Sequence, residues 1–285
     1  MAEGKALINL EFKEGVLEVQ LAKEPCNEIG RSMLEALEKV ASFCERGTFE
    51  RHPIRAMITH SLVERGFCAG ADLRELYAEN AQAIAQGVSE KERQAEVGRF
   101  LRRIHAVMNA IDQAPFLTIA MVHGFVFGGG FELALAHDII VAERSARFAF
   151  PELRLGLVPG FGGIPRLLRE VGNAIVRDLV FTGRSIGAER AHALGLVAHL
   201  ANEKEGLAIA RRMAEQALRF DGGAFQAAKR FIKEVPEAML AKEQEIFLER
   251  FITPWVQKAL EHFVHSEDPM PYLPPPPQAF KESLP

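Results

Sequence analysis

The chain has few cysteines, and it lacks any apolar run long enough to cross a bilayer. Its cysteines, Cys26, Cys44 and Cys68, are an odd number in a chain of 285 residues, which argues against a disulfide framework and for a reducing compartment. Neither they nor the nine histidines show metal-ligand spacing, so we predict no metal site. The stretch from Met1 to Leu10 lacks the uninterrupted apolar segment of a secretory signal. We therefore expect a cytoplasmic protein with no membrane partner.

A strong charge of either sign is also absent, because the formal net charge is −4 and the isoelectric point is near 6.2. We therefore expect no broad attraction for nucleic acid or anionic membrane, whereas a small phosphorylated ligand remains compatible with a local basic pocket. The chain does have 48% hydrophobic residues, enough for a sizeable core. Its length suggests one large domain with an appendage.

The apolar pattern predicts strands that alternate with helices through the first two thirds of the chain, which is typical of an α/β fold. Alternating apolar residues on both sides of Lys13-Glu14-Gly15 predict a hairpin. The helix that follows could be capped by Ser32 or Asn27. The polar, alanine-rich stretch at 78–93 is interpreted as a mobile loop or a lid.

The last third of the chain differs, because the pattern from Glu203 onward predicts almost only helix. Thr253 followed by Pro254 is a favourable helix start, since threonine can cap and proline at the first position sacrifices no intrahelical bond. The apolar face of that helix must pack either on the chain's own core or on another subunit. The prolines at 274–277 predict a polyproline surface tail.

Two glycine-containing stretches follow predicted strands. In Gly128-Gly129-Gly130 the backbone could approach a ligand closely and leave free amides at a helix N-terminus, where negative charge is stabilised. The stretch from Cys68 to Asp72 offers a second set of amides after another strand. Together they could aim one amide each at a single carbonyl oxygen, as in an oxyanion hole. Either stretch could instead be a tight turn that needs glycine only for its dihedral angles.

Two glutamates lie close to these stretches in the sequence. Glu132 lies two residues beyond Gly130, where a carboxylate at a helix start is electrostatically favoured even without a catalytic role. Glu152 lies in a strongly apolar setting, and an isolated buried carboxylate is costly unless it has a partner or a function. A pair of carboxylates is what a proton-transfer reaction near neutral pH needs.

The motifs resemble those of the crotonase (enoyl-CoA hydratase/isomerase) superfamily over roughly residues 7–200. The resemblance is carried, in the family's order and separation, by Pro25-Cys26-Asn27, Phe67 to Leu73, His123 to Asp138, Phe148 to Glu152, and Gly156 to Gly163. Taken together these motifs are specific for the superfamily, and less so for one reaction within it.

The resemblance implies that the amides of Ala69 and Gly129 polarise a thioester carbonyl and hold the enolate that forms. Hydratases of this family carry glutamate at both acidic positions, which Glu132 and Glu152 fill here. The implied reaction is reversible addition of water to a 2-enoyl-CoA, giving a 3-hydroxyacyl-CoA, with no cofactor besides the coenzyme A of the substrate. The implied substrate-binding residues are Cys26, Asn27, Ala69, Gly70, Ala71, Asp72, Gly129 and Gly160.

The resemblance also implies a spiral of ββα units, followed by an all-helical C-terminal region that forms homotrimers, commonly paired into hexamers. We therefore expect an α/β core with the thioester site at 1–200 and a helical oligomerisation region at 201–266. A proline-rich tail would occupy 267–285.

The sequence leaves the acyl group open, because the segment from Asp72 to His123 is longer than in a short-chain hydratase and falls where the family builds the acyl pocket. Five phenylalanines near the motifs could shape that pocket or belong to the core: Phe125, Phe127, Phe131, Phe150 and Phe161. The alternatives are an enoyl-CoA isomerase, or a dienoyl-CoA hydratase or hydrolase that acts on a larger or cyclic acyl group. A non-catalytic binding protein that kept the fold would turn over no thioester.

Overall fold

The structure is a computed structural model that describes residues 6–266. The predicted tail at 267–285 lies outside the described residues. Within 6–266 the strands are β1 (Ile8–Lys13), β2 (Val16–Leu21), β3 (Thr48–Phe49), β4 (His52–Pro53), β5 (Ala56–Ser61), β6 (Gly66–Cys68), β7 (Leu117–Val122), β8 (Phe125–Phe127), β9 (Ile139–Glu143), β10 (Arg147–Ala149), β11 (Ile186–Gly187) and β12 (His199–Ala201).

The helices of the same range surround two main sheets, and β3 and β4 form a third, two-stranded sheet. The helices are α1 (Arg31–Arg46), α2 (Leu73–Ala85), α3 (Glu90–Asp112), α4 (Gly129–Ala136), α5 (Gly163–Val171), α6 (Asn173–Thr182), α7 (Ala188–Ala193), α8 (Gly206–Ala217), α9 (Gly222–Ile232), α10 (Glu237–Phe251) and α11 (Pro254–His265). A 3₁₀ helix spans Glu152–Leu155. Each helix in this part of the chain is too short or too polar to span a membrane.

The two sheets are built from successive pairs of strands. The larger sheet has the order β1-β2-β5-β7-β9-β12, and the smaller has the order β11-β10-β8-β6. The pairs β5/β6, β7/β8 and β9/β10 each place one strand in the larger sheet and the next in the smaller one, and a helix follows. The predicted α/β fold with repeated ββα units is therefore confirmed, as is the helical region from α8 to α11.

The first hairpin is as predicted, and the start of the first helix is not. β1 and β2 pair in antiparallel register around a turn in which Glu14 and Gly15 both have positive φ, the geometry that a tight hairpin requires. At α1 the N-cap residue is Gly30, so neither Ser32 nor Asn27 caps the helix. Glu75 on α2 accepts the Arg31 amide at 2.7 Å instead, because a carboxylate from a neighbouring helix can satisfy a free N–H as well as a local side chain can.

The loop or lid predicted at 78–93 is wrong. Helix α2 covers the first half of that stretch, and α3 begins at Glu90, before the stretch ends. Asp72 caps α2, while Ser89 and Glu92 form a reciprocal capping box at the start of α3. Polar, alanine-rich segments are good helix formers once their ends are capped, so composition alone was misleading here.

The last helix packs on the chain's own core. Pro254 occupies its first position as predicted, but the Thr253 hydroxyl donates to the Arg250 carbonyl and makes no cap. Val256 and Leu260 are fully buried within the main hydrophobic core. Val256 and Leu260 therefore pack on the chain's own core and not on another subunit.

A buried ion cluster connects α3 to α5 beneath the C-terminal helices. Asp112, at the end of α3, has no exposed surface and accepts from Arg166 Nε at 2.9 Å. Lys233 and Arg169 also contact the same carboxylate, at 2.8 and 3.1 Å. These cations compensate a carboxylate that the negative end of the α3 dipole would otherwise disfavour. Arg166 also donates to the carbonyls of Phe161 and Gly162, so the cluster supports the loop before α5.

We expect Asp112→Ala to lower the free energy of unfolding by roughly 3–5 kcal/mol, because it leaves buried cations without their counter-charge. Chemical denaturation would measure the change. Asp178→Ala is the matched control, since it removes an exposed partner of Arg184 and should cost about 1 kcal/mol or less. Equal losses in the two variants would contradict a structural role for the cluster.

Candidate active site

The two glycine loops predicted to cooperate lie side by side. They follow β6 and β8, which are parallel neighbours in the smaller sheet, so both loops leave the same sheet edge. Gly70 has a φ of +102°, and a Cβ there would lie 2.9 Å from the Phe127 carbonyl and 3.0 Å from the Gly129 nitrogen. Only glycine suits this position, because the backbones of the two loops are in direct contact.

The pair of free amides differs from the predicted pair. The Ala69 amide donates to the Cys26 carbonyl at 2.9 Å, so the prediction that it faces a ligand is wrong. Among residues 6–266, the amides of Ala71 and Gly129 donate to no protein acceptor. A Cβ on Gly129 would lie 3.5 Å from the Ala71 nitrogen, so the two N–H groups are neighbours. In the structure Ala71 therefore takes the place of Ala69 as the partner of Gly129 in the pair of donors.

Glu132 lies in the first turn of α4 and is 2% exposed. Its Oε1 accepts from the amides of Phe161 and Gly163, both at 2.8 Å. Burial raises the pKa of Glu132 to about 7, although these amides and the Arg166 charge favour the ionised form. The side chain is thus held rigidly and titrates near neutrality.

Glu152 is the first residue of the 3₁₀ helix, and its side chain faces Gly128, which directly precedes α4. A Cβ on Gly128 would lie 2.7 Å from Glu152 Oε1. The other oxygen, Oε2, is buried and has no hydrogen-bond partner among the described residues. Burial raises the pKa of Glu152 well above its usual value, and the nearby Glu132 charge raises it further. Two carboxyl groups with unequal proton affinity therefore face the same glycine loops.

A cavity of about 50 Å³ joins these groups. It is lined by both glutamates, both glycine loops and a set of apolar side chains that includes Leu76, Phe161 and Phe247. A second cavity of about 60 Å³ shares Ala71, Leu76, Phe161 and Phe247 with the first and extends between α2 and α3. The site therefore continues into a second space, which is lined by apolar side chains and by charged ones such as Arg31 and Glu96.

The remaining predicted residues divide between the cavity and the scaffold. Asn27 is buried and donates to Ser61 Oγ and the Phe67 carbonyl, while Asp72 caps α2 and pairs with Lys23 at 2.8 Å. Both side chains are thus engaged within the fold. Cys26 contributes the carbonyl that accepts the Ala69 amide, and Gly160 lines the cavity.

The phenylalanines near the motifs also divide between cavity and core. Phe161 lines both cavities. Phe131 and Phe150 stack on each other in the core with ring centroids 4.7 Å apart. Both alternatives offered by the sequence therefore occur, at different residues.

Sequence reasoning missed two residues on α10. Phe247 closes the cavity, and Glu243 is 5% exposed and reaches the loop before α5. The signal was present, because Leu240, Glu243 and Phe247 recur at helical spacing and place an acid on an otherwise apolar stripe. Among the described residues, no group of three or more His, Cys, Asp or Glu side chains is arranged to hold a metal ion.

Comparison with known proteins places these motifs in a family. Residues 11–270 match the family described as enoyl-CoA hydratase/isomerase. The human mitochondrial enoyl-CoA hydratase domain-containing protein 2 is 38% identical over 211 residues, which are 72% of this chain and 66% of that protein. The rat mitochondrial methylglutaconyl-CoA hydratase is 36% identical over 195 residues, 68% of this chain and 56% of that protein. The matched part is thus less than two thirds of either relative's length.

Solved structures share the fold. The enoyl-CoA hydratase from Bacillus halodurans superimposes with a TM-score of 0.76 at 24% identity, covering 90% of this chain and 99% of that one. The enoyl-CoA hydratase from Bacillus anthracis superimposes with a TM-score of 0.69 at 28% identity, covering 90% and 96% of the two chains. The crotonase-like architecture is therefore confirmed.

We expect Glu152→Gln to stabilise the protein at pH 8. A carboxyl whose pKa is raised on folding contributes stability below its unfolded pKa of about 4.5, and that stability is lost as the pH rises toward the folded pKa. The neutral amide avoids this loss, so the variant's melting temperature should exceed that of the wild type at pH 8 and approach it near pH 5. Glu249→Gln, at an exposed position on α10, is the control and should change little. A variant less stable than the wild type at pH 8 would contradict the destabilising role of this carboxyl.

Proposed function

The chain belongs to the enoyl-CoA hydratase/isomerase family, and we propose that it is an enoyl-CoA hydratase that reversibly adds water to a 2-enoyl-CoA. The observation that carries this proposal is the meeting of Glu132, Glu152 and two free amides in one cavity. A hydration needs all three elements: a base for the water, an acid for the carbon, and donors for the charge that develops on the thioester oxygen.

In the proposed mechanism the amides of Ala71 and Gly129 donate to the thioester carbonyl oxygen. Glu132 and Glu152 together hold a water against the β-carbon. Glu132 takes a proton from this water while the water oxygen forms a bond to the β-carbon. The electron pair of the double bond moves onto the thioester, and the two amides stabilise the resulting enolate. Glu152 then donates its proton to the α-carbon, which completes the 3-hydroxyacyl-CoA. A return of the proton from Glu132 to Glu152 restores the starting state.

The assignment of base and acid follows from what surrounds each carboxyl. Glu132 accepts two amide hydrogen bonds that favour its ionised form. Glu152 lies beside the Glu132 charge, and its Oε2 has no hydrogen-bond partner within residues 6–266. Glu132 therefore ionises first, and Glu152 keeps its proton to higher pH. Two neighbouring carboxyls with separated proton affinities supply the base and the acid at the same pH.

We propose that the second cavity accepts the acyl chain. It adjoins the amide of Ala71. Val97, Phe100 and Leu101 from α3 belong to the apolar part of its lining, and charged residues also line it: Arg31, Asp72, Glu75, Glu79 and Glu96. This region coincides with the long segment that leaves the acyl group open in the sequence. An apolar lining favours an uncharged hydrocarbon chain over a polar one.

The rival activities differ in what they require of the two acids. An isomerase moves a proton between two carbons and commonly keeps only the later acid of the pair, whereas here both positions are filled and both face the cavity. A non-catalytic binding protein would have no need for Glu152, because its buried Oε2, which has no partner in the described part of the chain, is costly. The hydratase proposal accounts for both glutamates.

We expect Glu132→Gln and Glu152→Gln each to lower kcat for hydration of crotonyl-CoA by roughly 10²-fold or more, since each removes one proton-transfer step. The Michaelis constant should change little, because neither variant alters the amides that hold the thioester. Wild-type protein should also be incubated with a 3-enoyl-CoA and a cyclic dienoyl-CoA, with mass spectrometry of the products. Turnover of these substrates but not of crotonyl-CoA would favour the rival activities, and no turnover of any would favour the binding protein.

We also propose that the chain forms homotrimers, alone or paired. Phe231 and Ile232 at the end of α9 are 90% and 75% exposed, and large apolar side chains clustered at the surface indicate an interface. The oligomerisation role of the C-terminal region and the cytoplasmic location stay predictions. The human and rat relatives described above are mitochondrial proteins.

We expect sedimentation analysis to show trimers or hexamers for the wild type and smaller species for Phe231→Asp, because a charge at a buried apolar contact is costly. Lys13→Glu, at the exposed end of β1, is the control and should leave the assembly unchanged. A wild-type monomer at micromolar concentration would contradict the proposed assembly.

A further inference from the structure

The start of α5 is held by two buried carboxyl groups at once. Glu132 Oε1 accepts the amides of Phe161 and Gly163. Glu243 Oε1 accepts the Gly162 amide at 2.7 Å, and its Oε2 accepts the Ile164 amide at 2.9 Å. Four successive amides are thus divided in alternation between an acid of the proposed catalytic pair and an acid from the C-terminal region.

Helix α10 holds this loop at a second point. Phe247, one turn beyond Glu243, packs against the loop so closely that a Cβ on Gly160 would lie 2.5 Å from its ring. On the opposite side, His105 contacts the Gly160 carbonyl through Nε2 at 2.8 Å. The position of the loop therefore depends on α10, although α10 lies about 80 residues later in the chain.

Core packing does not explain an acid at position 243. The residue lies on the buried stripe of α10 between Leu240 and Phe247, where an apolar side chain would avoid the cost of burying a carboxyl group. Both of its oxygens are used by loop amides, so its location matches the needs of the loop.

We propose that Glu243 is a positioning residue for Glu132, which it orients by fixing the amides that alternate with those bound to Glu132. This inference rests on the hydratase function proposed above. Adjacent peptide groups share a backbone, so the amides of Gly162 and Ile164 cannot turn without moving the Gly163 amide that holds Glu132. Without Glu243 two buried N–H groups lose their acceptor, and they would compete for Glu132 or for water.

Glu243 also influences the charge state of the site. Burial raises the pKa of Glu243, and the Glu132 charge raises it further, because two acids share one helix N-terminus. The titratable and charged groups around this point are Glu132, Glu152, Glu243, His105 and Arg166. Removing the Glu243 carboxyl loosens the loop whose amides favour ionised Glu132, so the pKa of Glu132 should rise and the acid limb of the rate profile should shift to higher pH.

The test compares Glu243→Ala and Glu243→Gln with the wild type. We expect Glu243→Ala to lower kcat for crotonyl-CoA by roughly 10- to 100-fold with the Michaelis constant within about threefold, since a small displacement of a catalytic group is costly. The acid limb of kcat/KM should move to higher pH in both variants, because the amides that favour ionised Glu132 are held less firmly. Glu243→Gln keeps one acceptor oxygen and should recover part of the rate. Glu245→Ala, at an exposed position on the same helix, is the control and should match the wild type.

A purely structural role for Glu243 predicts a lower melting temperature with unchanged kcat and pH profile, and that result would overturn the inference. If Glu243→Ala does not fold, Glu243→Gln takes its place: a shifted pH profile supports the inference, and an unchanged one overturns it. Titration of the Glu132 carboxyl by ¹³C NMR, assigned with Glu132→Gln, needs no turnover. A shifted titration in Glu243→Gln, with no hydration by the wild type, would reject the proposed function and keep the positioning role. Normal hydration by the wild type with an unshifted Glu132 titration in Glu243→Gln would keep the proposed function and reject the positioning role.

Discussion

The parallel pairing of β6 with β8 is the constraint on which the rest of the site depends. It places the ends of two strands that are about 60 residues apart at one edge of the smaller sheet, where their glycine loops come into backbone contact. The contact leaves the amides of Ala71 and Gly129 side by side and free to donate. Every other feature of the site, from the two acids to the apolar cavity, is arranged around these two donors.

The site concentrates buried carboxyl groups in a way that opposes stability. Burial raises the pKa values of Glu132, Glu152 and Glu243, and the Glu132 charge raises those of Glu152 and Glu243 further. Amides at the start of α5 relieve this for Glu132 and Glu243, while Glu152 Oε2 has no such relief among the described residues. A protein selected for stability alone would avoid such a cluster, so its presence supports a chemical role.

Much of the fold and part of the site could be predicted from the sequence, because local patterns report local structure. The hairpin was found from alternation, Glu132 from its place near the glycine motif, and Glu152 from its apolar setting. The errors arose where a distant residue replaced a local one. Glu75 caps α1 from another helix, the Cys26 carbonyl occupies the Ala69 amide, and Glu243 reaches the loop before α5 from the C-terminal region.

The sequence by itself determined the class of fold, the family motifs and the identity of the two acids, since these depend on residue type and spacing along the chain. Only the tertiary structure decided which amides are free, which acid is held by hydrogen bonds and which helix closes the cavity. The physical reason is that each N–H and carboxyl oxygen can satisfy its hydrogen bonds with any group that packing brings within reach. That choice between local and distant partners is made by the whole fold.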